Sequence, residues 1–500
     1  MFSMRIEKLN NVYIRILCDE QSIEFELSDY FKFRAPNFQF HPKFKARLWD
    51  GNLRLYNRQT KSIYAGLLQE VLKFARDRNY QVEISKELQN TNTSGDISNF
   101  LKSISHFEYR DYQVDAIQKA IQAERLLLLS PTSSGKSLII YSLLRYFNVN
   151  CLLIVPTINL VGQMYTDFEE YSSQRDDFVV DNECHMIYGG QSKESSKRIK
   201  ISTWQSLHKL PESYFNQFEM IIVDECHTAK STSIKEILEK TKNCRYRFGT
   251  TGTLDGMLTN KMVVQGLLGP VYNVTTTKAL MEQGHVSNLT IKCLILKYTE
   301  EECKFARKHT YVDEVDFILS HNKRNSLIVN LAVSLQQNTL LLFNFIERHG
   351  KLLYEAIENK LKESGSNRKV FFVCGATDAD TRNDIRAIVE KENDAIIIAS
   401  AGVFSAGVNI KNLVNIIFAH SGKSRIRTLQ SIGRVLRIGR HDYATLYDIV
   451  DDLNHKKRKS YSVKHFIERF KYYQEERFKL KVINLPLEKK KTLGKEQQEQ

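Results

Sequence analysis

After residue 100, short apolar runs alternate with helix-length amphipathic stretches. The first series is Leu126–Leu129, Leu152–Val155, Met220–Val223 and Tyr246–Gly249. The second is Leu340–Phe343, Val370–Cys374, Ala395–Ala399, Val414–Ala419 and Ala444–Val450. Runs this short with no polar alternation read as buried parallel strands, and the stretches between them as crossover helices. The pattern predicts two successive α/β domains, over residues 101–285 and 286–455. Residues 1–100 differ: they are dense in aromatic and basic residues and read as a small α+β domain, joined through the polar stretch "ELQNTNTSGDISNF" (87–100). Residues 456–500 read as a basic tail, helical in part, with its last dozen residues disordered.

Composition narrows the class. The 500 residues are 42% hydrophobic and 26% charged, which is ordinary for a globular protein. No apolar run approaches the roughly 18 to 20 residues of a membrane span. The N-terminus alternates and carries acids, unlike a signal peptide. Eight cysteines, none in a C-x-x-C pair, argue against a zinc site or disulfide framework and fit a reducing cytoplasm. The net charge of +14 suits either simple solubility or a polyanionic partner.

Candidate chemistry begins at "LLLLSPTSSGKSLII" (126–140). An apolar strand runs into a polar loop, and "KSLIIYSLLRYF" from Lys136 reads as a helix. A phosphate-binding loop sits at such a turn, where backbone N–H groups at the helix start favour anions. Ser130 stands where the pattern G-x-x-x-x-G-K-[ST] has its first Gly; a small residue before Pro131 also shapes the turn. Ser130, Thr132, Ser133, Ser134, Gly135, Lys136 and Ser137 are the candidate nucleotide contacts. Lys136 would reach the β- and γ-phosphates, and Ser137 would ligate Mg²⁺. The run Met220–Val223 leads into Asp224-Glu225-Cys226-His227, placing two carboxylates at a strand's C-terminal edge. Asp224 would hold Mg²⁺, and Glu225 would orient or activate the attacking water. In "QSIGRVLR" (430–437), Arg434 and Arg437 are three apart and share a helical face, suited to charge on a transferring phosphate. Taken alone, that stretch reads equally as a basic helix face.

Together these stretches resemble the ordered motifs of superfamily 2 helicases. "RDYQ" (110–113) resembles the adenine-reading element, which implies roles for Arg110 and Gln113. "SPTSSGKS" is similar to motif I, "PTINLVGQ" (156–163) to motif Ia, "STWQSL" (202–207) to a further strand-contacting element, and "DECH" to motif II. "TGT" (251–253) takes the place of motif III, with Gly252 where Ala is usual. "LLLFNFIERHG" (340–350) resembles motif IV, "ASAGVFSAGVNI" (399–410) motif V and "QSIGRVLR" motif VI. The resemblance is strongest to the bacteriophage UvsW helicases. It covers nearly the whole chain, including "HPKFKARLWDGNLRLYN" (41–57), but not the final 40 or so residues.

The resemblance implies two RecA-like lobes that use ATP and Mg²⁺, with motif VI reaching in from the second lobe. It implies RecG-like remodelling of branched DNA. Catalytic roles fall on Lys136, Asp224, Glu225, Gln430, Arg434 and Arg437, and Gly407 of motif V joins the nucleotide set. Thr157, Thr203, Gln205 and Ser405 are the candidate backbone contacts, although each also reads as a helix cap or turn residue. In the N-terminal block, Phe31–Ser62 carries Lys32, Arg34, Lys43, Lys45, Arg47, Arg54, Arg58 and Lys61 against the single acid Asp50. Basic charge grips phosphates and aromatic faces stack on unpaired bases, so Lys43, Lys45, Arg47 and Trp49 are nucleic-acid candidates. Most of the aromatics there also read as the core of the small domain. The expected partners are branched and single-stranded DNA and an RNA–DNA hybrid, with no membrane and a monomeric chain. An RNA helicase, a restriction-type DNA translocase and an ATP-gated nucleic-acid clamp remain alternatives. Because the nucleotide residues lie between Arg110 and Arg437, hydrolysis is expected to survive removal of residues 1–95.

Overall fold

The computed structural model describes residues 3–35, 38–89, 95–227, 232–254, 258–308, 310–406, 410, 412–436 and 441–488. The chain divides into two compact units, Met1–Thr276 and Thr277–Gln500.

The first unit opens with a small α+β region. Its strands are β1 (Met4–Lys8), β2 (Tyr13–Cys18), β3 (Lys32–Arg34), β4 (Asn52–Arg54), β5 (Ser62–Tyr64) and β6 (Val82–Ile84). Four of them form a mixed sheet in the order β5-β2-β1-β6, and β3 and β4 pair separately as an antiparallel ribbon. Alternation in β1 and β2 puts Met4, Ile6, Ile14 and Ile16 inward, where Leu27, Val71 and Phe74 of two helices cover them.

Seven further strands build the parallel sheet of this unit: β7 (Arg125–Leu129), β8 (Cys151–Val155), β9 (Cys184–Ile187), β10 (Ile199–Thr203), β11 (Met220–Asp224), β12 (Tyr246–Thr251) and β13 (Val271–Asn273). Their order is β13-β7-β12-β11-β8-β10-β9, with every pairing parallel. The four expected runs became β7, β8, β11 and β12. β10 carries Lys200 at its second position, a polar interruption that hides it from a search for apolar runs. The structure accommodates that lysine: its amine donates to Gln217 and lies over the rings of Tyr214 and Phe218, 5.7 and 5.2 Å from their centroids.

The small region is not an appendage. Its core runs on into that of the parallel sheet, joining Ile6, Tyr64 and Leu67 to Ile221, Leu238, Val264 and Leu267. A Cβ on Gly66 would lie 2.1 Å from the Gln265 carbonyl oxygen, so two backbones meet there. Beside it the hydroxyls of Tyr13 and Tyr64 donate to Glu239, at 3.2 and 2.6 Å, with their rings stacked 5.4 Å apart. Arg125 Nη2 donates to the Asn11 carbonyl at 2.8 Å.

The second unit is a sheet of β14 (Asn288–Lys297), β15 (Thr339–Phe343), β16 (Val370–Val373), β17 (Ile396–Ser400), β18 (Asn415–Phe418), β19 (Tyr443–Asp452) and β20 (Lys479–Pro486). The order is β16-β17-β15-β18-β19-β14-β20, again all parallel. The five expected runs are β15 to β19. The stretch expected as a basic tail contributes β20 and the helix Tyr461–Glu475 to this unit. Burial explains why: Arg469 on that helix pairs with Asp448 of β19 at 2.8 Å, and Tyr473 donates to the same carboxylate at 3.0 Å, all three side chains out of solvent.

Two tandem all-parallel seven-stranded sheets with a small N-terminal α+β region are the α/β architecture that the patterning predicts. Among the described residues no helix is long and apolar enough to cross a membrane.

Candidate nucleotide and nucleic-acid sites

The loop after β7 is built from its own hydroxyls. Ser134 Oγ donates to the Pro131 carbonyl at 2.7 Å, so the proton shared with Ser130 Oγ, 2.5 Å away, comes from Ser130. Both serines are fully buried. Ser130 therefore closes the loop through a bond that a glycine lacks. Ser133 and Gly135 take φ of 69° and 81°, left-handed conformations of the kind that let successive N–H groups face one anion. Gly135 allows no side chain: a Cβ would lie 2.3 Å from Gln113 Nε2. Gln113 is buried and used at both ends, accepting from the Arg110 N–H at 2.9 Å and donating to the Ser134 carbonyl at 2.9 Å. Tyr112 donates to the same carbonyl at 3.1 Å, and Arg110 donates to the Tyr112 hydroxyl at 2.8 Å. The pair assigned by resemblance to adenine thus also braces the phosphate loop.

Lys136 begins the helix Lys136–Phe147, and its ammonium lies 3.1 Å from Glu225 Oε1. Glu225 sits just past β11 at φ 48°, an uncommon conformation for a non-glycine residue. Thr251 Oγ1 lies 3.2 Å and His227 Nδ1 3.2 Å from its other oxygen, and Thr250 donates to Asp224 at 2.6 Å. Burial alone would raise the Glu225 carboxyl. The Lys136 charge and the His227 contact outweigh it and hold that carboxyl below the usual range. Asp224 moves the other way, pushed up by burial and by the charge of Glu225. A buried carboxylate beside a like charge is a place where a divalent cation relieves the strain, so the donor set fits Mg²⁺.

Thr132, Ser133 and Ser137 complete the loop. The Ser137 hydroxyl is 2.7 Å from the Tyr171 hydroxyl. Gly252 sits against the loop, where a Cβ would lie 3.6 Å from the Ser130 carbonyl and 3.8 Å from Lys136 Nζ, an ordinary contact.

Farther along the same sheet edge, Thr157 lies two residues past β8, at the start of the helix Ile158–Ser172 but with no capping bond from its side chain, and Thr203 ends β10. Thr157 Oγ1 is buried with no hydrogen-bond partner among the described residues. Thr203 Oγ1 is 3.3 Å from Ser206 Oγ, and Gln205 is exposed. In the second unit, Ser405 belongs to the helix Ala401–Ala406, with its side chain outside the described residues, as is all of Gly407. Gln430 and Arg434 lie four apart on the helix Arg425–Val435. That helix stops short of Arg437, which also lies outside the described residues; the Leu436 carbonyl is taken by the Ser287 N–H at 2.8 Å.

Residues 106–256 match the family described as type III restriction enzyme, res subunit, and residues 322–439 match the helicase conserved C-terminal domain. Residues 3–85 match the N-terminal domain of DNA helicase UvsW. The ATP-dependent DNA helicase uvsW of Enterobacteria phage T4 is 34% identical, over 95% of this chain and 98% of that protein. The chain belongs to the UvsW helicase family. It is an ATP-dependent DNA helicase of superfamily 2 with a DECH box. The crystal structure of T4 UvsW superposes with a TM-score of 0.51 at 31% identity, covering 97% of this chain and 100% of that one. A more distant relative, the DNA 3'-5' translocase XPB2 of Sulfurisphaera tokodaii, is 23% identical over 66% of this chain and 79% of its own.

Sequence reasoning missed Tyr171, Thr250, Thr251 and His227 as contacts of the site. His227 lies within "DECH" and Thr251 within "TGT", and Thr250 adjoins the latter, so membership in those stretches was a usable signal. Tyr171 is 34 residues from Ser137, and only the packing of two helices brings it there.

Proposed function

We propose that the chain is an ATP-driven remodeller of branched DNA. It migrates four-way junctions, regresses forks and unwinds R-loops, acting as a monomer in the host cytoplasm during phage recombination, repair and replication. One observation supports this best. The phosphate loop, the two motif II carboxylates, Thr157 and Thr203 all leave the C-terminal ends of strands in one parallel sheet. Hydrolysis and strand grip then share a rigid frame, and a change at the phosphates reaches the DNA-facing helix starts without crossing a flexible joint.

Within that frame, the loop N–H groups and Lys136 hold the phosphates, and Arg110 and Gln113 lie on the adenine side. Glu225, kept ionised by its neighbours, orients and deprotonates the attacking water. Ser137 and Asp224 are the residues that would hold Mg²⁺, which when bound neutralises charge on the phosphate oxygens. Gln430, Arg434 and Arg437 supply polar contact and positive charge for the transferring phosphate, and Gly407 and Ser405 belong to the same cycle. Thr157, Thr203 and Gln205 contact the DNA backbone.

The test is ATP hydrolysis and strand separation measured side by side on single-stranded DNA, blunt duplex, a fork, a four-way junction and an RNA–DNA hybrid. The expected result is hydrolysis stimulated by DNA, with remodelling of the fork and junction. Hydrolysis without strand separation on any branched substrate overturns the proposal, and so does activity confined to RNA.

A further inference from the structure

Two large apolar side chains of the N-terminal region stand out for their exposure. Leu48 is 79% exposed and Phe40 68%. They lie on either side of the short helix Pro42–Lys45 in sequence. Leu48 borders a pocket, and an apolar side chain left in water beside a concave surface points to a contact site. A pocket of about 650 Å³ opens here, lined by Phe44, Lys45, Arg47, Leu48, Trp49 and Asp50 together with Gln39. Its volume is that of a small-molecule site, roughly 300 to 1,000 Å³.

The pocket is built rather than incidental. Trp49 Nε1 donates to the Asn52 carbonyl at 2.9 Å, and the His41 ring packs edge-on against the indole at 5.1 Å. Those contacts fix the ring and consume its only polar group, leaving an apolar surface to offer. Phe44 is held edge-on by Phe38 at 4.7 Å, and Phe38 lies under the Arg34 guanidinium at 4.2 Å. Charge points to the occupant. Asp50 is paired with Arg54 at 2.5 Å and accepts from the Asn52 N–H and Nδ2 at 3.0 Å each. Its carboxylate is already compensated. Lys43, Lys45 and Arg47 form no ion pair among the described residues.

We propose that this pocket takes an unpaired nucleobase at a DNA branch point, stacked on Trp49 and Leu48, with the adjoining phosphates on Lys45 and Arg47. A paired base hides its faces in the stack, so a fixed indole beside free cations selects bases that a branch has released. Because the N-terminal core is continuous with that of the first parallel sheet, a base held here is held by the body that carries the phosphate loop. The inference rests on the DNA-helicase reading and adds to it the feature of the branch that is recognised.

The test uses the full chain and three DNAs of equal length: a blunt duplex, a duplex with one bulged thymidine, and a duplex with an abasic residue at the bulge. The chain has two tryptophans, so subtracting the emission of Trp49→Phe from that of the wild type isolates Trp49. The expected result is a change in Trp49 emission with the bulged base alone. Affinity for that DNA should exceed that for the abasic one by about tenfold, and Trp49→Ala should erase the difference. Leu48→Ala, at an exposed position that leaves the fold alone, should reduce it. Equal affinity for base and abasic bulges, with hydrolysis still stimulated by DNA, overturns the pocket and leaves the helicase reading standing. Equal DNA affinities for Leu48→Ala and the wild type also overturn it, because Leu48 would then not touch the base. A wild-type chain whose hydrolysis ignores every DNA overturns the functional reading, and this inference with it.

Discussion

Two glycines on either side of the phosphate loop are expected to behave oppositely. Gly135→Ala puts a Cβ 2.3 Å from Gln113 Nε2 at a φ that favours glycine, so ATP binding should be lost. Gly252→Ala makes only ordinary contacts and should keep the fold and ATP binding, as nucleotide titration of both variants will show. Glu225→Gln should retain ATP but stall hydrolysis, because an amide fills the space and is a very poor base. Loss of ATP binding in that variant would make Glu225 a structural partner of Lys136 instead. Arg437→Ala should slow turnover by about a hundredfold or more, since arginines supplied to a transferring phosphate give roughly 10³ to 10⁵ in rate. Arg440→Ala, just outside the motif, should be mild in the same assay; equal effects would point to a general basic surface.

At the scale of elements, the second sheet is tied together by buried polar groups rather than by apolar contact alone. Arg324 pairs with Asp451 of β19 at 2.6 Å, donates to the Ala419 carbonyl at 3.0 Å and sits 3.4 Å from His349 Nε2. Burial, with the Arg324 charge next, lowers His349 to about 3. Burial, with Arg469 and Arg427 next, lowers His420 to about 3. Both histidines are neutral in the fold and protonate near 6.5 when it opens. Their contribution is therefore complete above about pH 6.5 and is lost as pH falls toward 3, because the unfolded chain binds the extra protons. At pH 5 the loss is roughly 2 kcal/mol for each histidine. Melting of the second unit should shift down between pH 7 and pH 5, and His349→Gln should flatten that slope. A slope unchanged by the substitution would remove His349 from the account.

For the whole molecule, the continuous core of the first unit changes what a deletion can test. Residues 1–95 look removable from the sequence, because no motif of the nucleotide site lies among them. In the structure they cover Val264 and Leu267, and Gly66 meets the Gln265 backbone. A 96–500 chain is expected to lose cooperative melting of its first unit, or to melt several degrees lower, with hydrolysis falling for that reason. Calorimetry of the truncated chain checks this. Melting like the full chain would show that the shared core contributes little. Point changes in the pocket around Trp49, rather than truncation, then separate DNA targeting from the motor.

Local pattern was enough to read the two parallel sheets and the order of the motifs. Buried parallel strands must be apolar on both faces, and a phosphate loop must carry its glycine, lysine and hydroxyl at set spacing. It also placed Lys136 at the start of its helix, and Asp224 and Glu225 at a strand end, within a residue of where they lie. Strands that break the apolar rule were illegible: β10 with its buried lysine, and β20, whose side chains are mostly exposed. Only the folded chain shows that Ser130 closes the loop by a hydroxyl bond, that Gln113 braces it, and that Tyr171 reaches Ser137. It alone made the N-terminal region part of the ATP-binding body and folded the presumed tail into the second sheet. Each of these depends on contacts between residues distant in the chain, and local pattern carries no record of which distant partner completes a hydrogen bond or covers an apolar face.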